Sequence, residues 1–219
     1  MDVDEYCERL APGLWGEPLN AVSNAAFLIA SGLLVARLVR RGERRPVAWA
    51  LPVTLGVVGL CSLAFHTVAD TVTGALDSLS ILVFILVAVV ILARWGFGVR
   101  AGRAWLAAPA FVVAAVAVDV ALAAVAGAGA TLGGYLPALL GLLGFAVALR
   151  SPTLGVATAV FAVSLTARTL DAPLCDTWPA GTHFLWHCLN AVVLALVALV
   201  TDRLVAPSGS RPPVTVDAP

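Results

Sequence analysis

The chain has 219 residues, 61% of them hydrophobic and 12% charged, with 13 acidic side chains against 13 basic ones, all arginine. Its mean hydropathy is +0.99, whereas a soluble domain is only about 45–50% apolar, so a water-soluble globular fold is excluded and an integral membrane protein is expected. A net charge of zero gives no electrostatic footprint for a nucleic-acid partner.

Residues 1–17 form an acidic segment (Asp2, Asp4, Glu5, Glu8, Glu17) with no basic stretch ahead of the first apolar run. No cleaved signal peptide is therefore expected, and the first helix should act as its own insertion signal. Seven apolar stretches follow, at 18–37, 47–67, 75–94, 104–126, 131–149, 152–169 and 181–201. About 20 residues rising 1.5 Å each cross a hydrocarbon core, so the expected fold is all-α, a seven-transmembrane helix bundle over 18–203. The fourth and fifth stretches are divided only by the small residues Gly127 to Gly134. The remaining 204–219, with four prolines, reads as a disordered tail.

Arginine placement sets the expected topology. Arg37, Arg40, Arg41, Arg44 and Arg45 follow helix one, Arg94, Arg100 and Arg103 helix three, Arg150 helix five, and Arg203 and Arg211 helix seven. Those loops should face the cytoplasm, leaving the amino terminus outside and the carboxyl terminus inside. The absence of lysine and the abundance of Ala, Val, Gly and Arg suggest a GC-rich bacterial genome, hence a multi-pass protein of a bacterial plasma (inner) membrane.

Only three histidines occur, and all lie in apolar stretches: His66 near the end of the second, His183 and His187 at the start of the last. Imidazole at bilayer depth is costly and marks function. Helix two runs outward to His66, helix three starts inward near Asp77, and helix seven starts inward near His183, so all share a depth near the outer boundary. Ser62 and His66 are four apart, as are His183 and His187, so each pair stacks on one helical face. Two helices thus aim three imidazoles at one point, with Asp77 arriving from a third. Three protein ligands leave zinc an open fourth position, the catalytic pattern, and zinc that activates water and polarises a carbonyl suits hydrolysis. Asp77 would hold or deprotonate that water, and Ser62 would donate to the developing oxyanion. The competing reading is structural: histidines as interhelical hydrogen-bond partners, and Ser62 bonded to its own helix backbone.

Together these residues form a wider pattern. Glu5-Tyr6-Cys7-Glu8, Glu17-Pro18-Leu19-Asn20-Ala21-Val22-Ser23-Asn24, Ser62-x-x-x-His66 followed by Asp77 and Ser80, and His183-x-x-x-His187 closely resemble the alkaline ceramidases. These belong to a superfamily of seven-helix membrane hydrolases that includes adiponectin-receptor-like and Per1-like proteins. The resemblance spans essentially the whole transmembrane region. It implies that His66, His183 and His187 bind Zn2+, that Asp77 and Ser62 serve the activated water and the oxyanion, and that the N-acyl amide of ceramide or a related N-acyl lipid is cleaved to a long-chain base and a fatty acid. It also implies a disulfide between Cys7 and Cys175, both on the expected outer side. Finally, it implies a Ca2+ site in the acidic segment, from Glu5, Glu8 and Glu17 with the Tyr6 carbonyl. Here Glu5 stands where the family usually has Asp, Leu10 stands at an Asn position, and the stretch between Glu8 and Glu17 is shorter; the alternative is a solvated acidic segment that serves topology.

Several other residues carry weaker expectations. Cys61 and Cys188 read as packing groups, Asp119 as an intramembrane acid without an evident partner, and Asp171 as support for its loop. Trp15, Trp95, Trp105 and Trp178 fall near helix ends, where indole prefers the interface, and Trp186 near the site. Gly56-x-x-Gly59 and Gly141-x-x-Gly144 suit close helix approach. The expected partner is a membrane lipid substrate, and oligomeric state is not legible. The rival functions are a lipid hydrolase of the same superfamily acting on an ester or a different N-acyl lipid, and a receptor-like seven-helix zinc protein. A transporter would need charges along a pathway and repeat symmetry, and neither is seen.

Overall fold

The computed structural model describes residues 6–11, 13–127 and 132–206. Glu5 and most of the tail expected to be disordered, 207–219, lie outside the described residues. The described chain forms helices α1 (Pro18–Ser23), α2 (Ala25–Arg40), α3 (Pro46–Val68), α4 (Thr71–Ile91), α5 (Ala101–Ala104), α6 (Ala107–Ala126), α7 (Leu136–Ala148), α8 (Pro152–Leu174) and α9 (His183–Val205). A π-helical turn, Leu92–Gly96, extends α4. Six units are long and apolar enough to cross a membrane, α1 with α2, α3, α4 with its π-turn, α5 with α6, α8 and α9; the shorter α7 is the seventh apolar helix. The chain is an integral, multi-pass membrane protein built from helices.

Local sequence explains the ends. Prolines open α1, α3, α7 and α8, where the missing N–H would have had no helical acceptor. The expected stretch 131–149 yields only 13 helical residues in α7, about 20 Å at 1.5 Å per residue. Its start is consumed by a turn in which Leu132, Gly133 and Gly134 all have positive φ. The first span is continued past a break at Asn24, and this break leaves α1 as a short polar-faced helix against α9.

The core lies between α2, α3, α4 and α9, where Phe27, Leu51, Leu55, Phe84, Leu194 and Ala198 are buried together. In contrast α6 buries none of its residues, as expected of a helix that faces lipid along its length. The Gly56-x-x-Gly59 expectation holds. A Cβ on Gly56 would lie 2.9 Å from Ser31 Oγ, and one on Gly59 would lie 2.8 Å from Phe27 Cβ. In the second motif Gly141 packs on Phe111, 3.0 Å from a Cβ built there, while Gly144 faces open space.

The end of the bundle away from the histidines is tied by arginines. Asp202, near the end of α9, takes Arg41 at 2.6 Å and Arg37 at 3.6 Å. Arg45 bonds the Val205 carbonyl and Glu43, and its guanidinium lowers the Glu43 carboxyl to about 2. The close α2–α3 contact makes a direct test. Gly59→Ala should lower stability in detergent by about 1–3 kcal/mol through overpacking, whereas Gly144→Ala should stay within about 0.5 kcal/mol. Equal melting temperatures for the two variants would contradict the packing described.

Candidate metal centre

Each histidine is carried by an element whose end is fixed. His66 lies in the last turn of α3, which stops at Ala69 in the left-handed conformation (φ 59°). Asp70 then caps α4, accepting the Thr73 N–H at 2.8 Å, and this contact holds its carboxyl below the usual carboxylate range. The turn directs the chain back so that Asp77 faces the end of α3. His183 and His187 occupy the first two turns of α9. The start of α9 is set by Asp171 of α8, whose Oδ1 accepts the N–H groups of Thr182 (2.6 Å) and His183 (2.9 Å). Gly181 has φ 62°, and a Cβ there would lie 2.2 Å from that Oδ1, so this approach requires glycine. Asp171 Oδ2 accepts the Cys7 N–H at 3.2 Å, and Cys7 is bonded to Cys175 with the Cα atoms 5.1 Å apart. The amino-terminal segment is thereby held over the histidines, with the Tyr6 ring 3.9 Å from that of His183.

The three imidazoles converge. Their ring centroids are 4.6–5.2 Å apart, and one ligand atom from each lies within 4.8 Å of the others. All three residues are at most 2% exposed. Hydrogen bonds fix which nitrogen points inward. His66 Nδ1 is 2.7 Å from Glu17 Oε2; a carboxylate only accepts, so Nδ1 carries the proton and Nε2 presents its lone pair. The Ser23 hydroxyl donates to the Asn20 carbonyl at 2.9 Å and therefore accepts from His187 Nδ1 at 2.8 Å, leaving Nε2 free to ligate. His66 Nε2 and His183 Nδ1 are buried without hydrogen-bond partners, a costly state for a polar atom that a cation would relieve. This donor set, three buried imidazoles of which those of His66 and His187 are oriented by second partners, fits zinc. Among the described residues no other cluster of His, Cys, Asp and Glu forms such a group; Cys61 and Cys188 are free thiols outside it, and so is Asp119 of α6.

Ser62 is buried one turn before His66, and its hydroxyl faces the half-buried Asp77, whose Oδ1 has no hydrogen-bond partner. A cavity of about 310 Å³, lined by Tyr6, Asp77, Tyr135, Arg168, His183 and Trp186 among others, opens onto these groups. Tyr135 and Trp186 also line an apolar cleft between α4, α6, α7 and α9, walled by Phe84, Phe111, Leu142, Phe145 and Val193.

The acidic segment is put to a different use from the expected calcium site. Glu17 is fully buried; Oε1 is ion-paired with Arg9, and Oε2 is shared between His66 and Asn20 Nδ2 at 2.9 Å. Both Glu8 oxygens take backbone N–H groups at the start of α1, from Leu19 (2.7 Å) and Asn20 (2.8 Å). The Tyr6 carbonyl accepts the Arg9 N–H, and Leu10 is 90% exposed. Calcium takes six to eight oxygens, and those of Glu8, Glu17 and the Tyr6 carbonyl are committed elsewhere, with the guanidinium of Arg9 already serving as the cation against Glu17. Glu5 lies outside the described residues; the described donors do not fit calcium.

Sequence reasoning did not anticipate Glu17 on His66 or Ser23 on His187, whereas Asp171, expected to support its loop, does so by accepting the N–H groups of Cys7, Thr182 and His183. One signal for both was present: Glu17, Asn20, Ser23 and Asn24 recur three or four apart at the start of an otherwise apolar span, a polar stripe on one face. Removing such a second partner typically weakens metal affinity 10–100-fold. Glu17→Ala should therefore raise the zinc dissociation constant, measured by chelator competition, by about that factor, and unchanged affinity would refute the orienting role.

Comparison with known proteins bears on the same residues. No curated protein sequence matches the chain. A family model described as Ceramidase matches residues 5–131, more than half of the chain, and that span holds Glu17, Ser62, His66 and Asp77. The fold then brings His183 and His187 onto this matched half. By this match the chain belongs to the ceramidase family.

Proposed function

We propose that this protein is a zinc-dependent intramembrane lipid amidase that hydrolyses the N-acyl amide of ceramide or a related N-acyl lipid. The observation that carries the reading is the convergence of three buried imidazoles, two of them, His66 and His187, oriented by Glu17 and Ser23. His66, His183 and His187 would hold the metal, which when bound supplies a Lewis acid for the carbonyl and lowers the pKa of a coordinated water.

The chain's own groups supply the rest. Asp77 accepts a proton from the attacking water and returns it to the amide nitrogen, so the C–N bond breaks as water's oxygen joins the acyl carbon; a fatty acid and an amine leave. The Ser62 hydroxyl, one turn before His66, would donate to the carbonyl oxygen as it becomes negative. The apolar cleft beside Tyr135 and Trp186 takes the acyl chain, which reaches the site laterally between helices. Tyr6, tied down through Cys7 and Cys175, covers His183 and limits bulk water.

Orientation follows from charge. Arg37, Arg41 and Arg45 gather with Asp202 at the end opposite the histidines, and arginine-rich loops favour the cytoplasm. The amino terminus and the metal centre then lie toward the outer face of a bacterial plasma membrane, where the Cys7–Cys175 bridge persists.

The test combines metal analysis with fatty-acid release from N-acyl lipids in the purified full chain. Wild type should carry about one zinc per chain, and His183→Ala should lose both zinc and release, the latter by at least about 100-fold. Asp77→Asn should keep zinc while release falls roughly 10²–10⁴-fold. Undiminished release by His183→Ala would end the metalloenzyme reading.

A further inference from the structure

The hydrolytic chemistry leaves one charge at the site unused. Arg168 of α8 lines the cavity beside Asp77 and His183. Its guanidinium lies over the rings of Tyr135 at 5.1 Å and Trp186 at 5.9 Å. It also packs on the turn before α7 so closely that a Cβ on Gly133 would lie 2.7 Å from Nη1. Two aromatic faces and a glycine turn therefore hold the group in place.

Position sets Arg168 apart. Arg9 pairs with Glu17, Arg37 and Arg41 with Asp202, and Arg45 with Glu43, while among the described arginines that form no ion pair Arg168 is the one that lines the polar cavity. Asp171, one turn along the same helix, spends its carboxylate on the N–H groups of Cys7, Thr182 and His183. Asp77 acts on the guanidinium only through space. A half-buried cation at the edge of an apolar bundle is costly to leave without a counter-charge, and a guanidinium fork presents paired donors suited to a carboxylate or phosphate.

Tyr135 and Trp186 wall both the apolar cleft and the polar cavity. A substrate whose acyl chain lies in the cleft and whose amide lies at the histidines must place its amine-side head in the polar cavity, against Arg168. Resting on the amidase reading, we propose that the preferred substrate is an N-acyl lipid with a small anionic head, an N-acyl amino acid whose carboxylate is bound by Arg168, rather than neutral ceramide. Its hydrolysis consumes one water, breaks the C–N bond and yields a fatty acid and a free amino acid.

The experiment compares kcat/KM of the zinc-loaded full chain for a long-chain N-acylglycine, its neutral methyl ester, ceramide and a ceramide phosphate, with direct binding of the N-acylglycine measured by calorimetry. Wild type should favour the N-acylglycine over its methyl ester. Arg168→Met should reduce that preference roughly 10–100-fold, the range of a charge-assisted hydrogen bond, mainly through KM, and weaken binding to match; Arg168→Lys should keep the direction of the preference. A stronger preference for the phosphate would retain the anion site and reassign its source. Preference for neutral ceramide, or equal losses on both glycine substrates in Arg168→Met, would overturn the proposal and leave Arg168 a counter-charge to Asp77. Should the chain hydrolyse nothing yet bind N-acylglycine in an Arg168-dependent way, the amidase reading falls and the anion site stands; binding insensitive to Arg168 removes the site.

Discussion

The contact on which this structure depends is the hydrogen bond from His66 Nδ1 to Glu17, 2.7 Å long and fully shielded from solvent. An ionised carboxylate inside an apolar bundle is tolerable only when its charge and lone pairs are met. Arg9 meets the charge, and Asn20 and His66 meet the other oxygen. The same contact decides the tautomer of His66 and leaves Nε2 as a lone pair facing two further imidazoles. The amino-terminal segment, α1, α3 and α9 are thereby committed to one arrangement, because moving any of them strands a buried polar group.

The remaining polar contacts repeat this logic. Ser23 does for His187 what Glu17 does for His66, and Asp171 places His183 through the backbone of α9. The disulfide and Gly181 bring the amino-terminal strap close to Asp171. Polar groups are concentrated at the histidine end, the arginines and Asp202 at the other, and the apolar packing of α2, α3, α4 and α9 fills the space between. That division is what a bilayer demands, since unmet polar groups are costly in hydrocarbon.

How legible this was differs from residue to residue. Helix existence was plain because apolar length is a strong signal, and His66, His183 and His187 stood out because intramembrane imidazoles are rare. The length of α7 was not legible: Leu132 to Gly134 look like ordinary small apolar residues, and only their positive φ values show that the turn consumes the start of the span. The roles of Glu8 and Glu17 were not legible, because a carboxylate near an acidic terminus reads the same whether it binds calcium, caps a helix or orients a histidine. Arg168 was not singled out, since nothing in its sequence neighbours reveals Tyr135 and Trp186 beside it.

By itself the sequence determined the class of the molecule and singled out the three histidines that could hold a metal, because hydropathy and residue rarity are one-dimensional properties. Helical spacing was enough to put Ser62 with His66 and His183 with His187. Only the tertiary structure decided which nitrogen of His66 and of His187 faces inward, which acid holds His66, and which cation stands against Glu17. Those outcomes turn on hydrogen bonds between residues as much as 164 positions apart, and such partners are chosen by the packing of whole helices rather than by any local pattern.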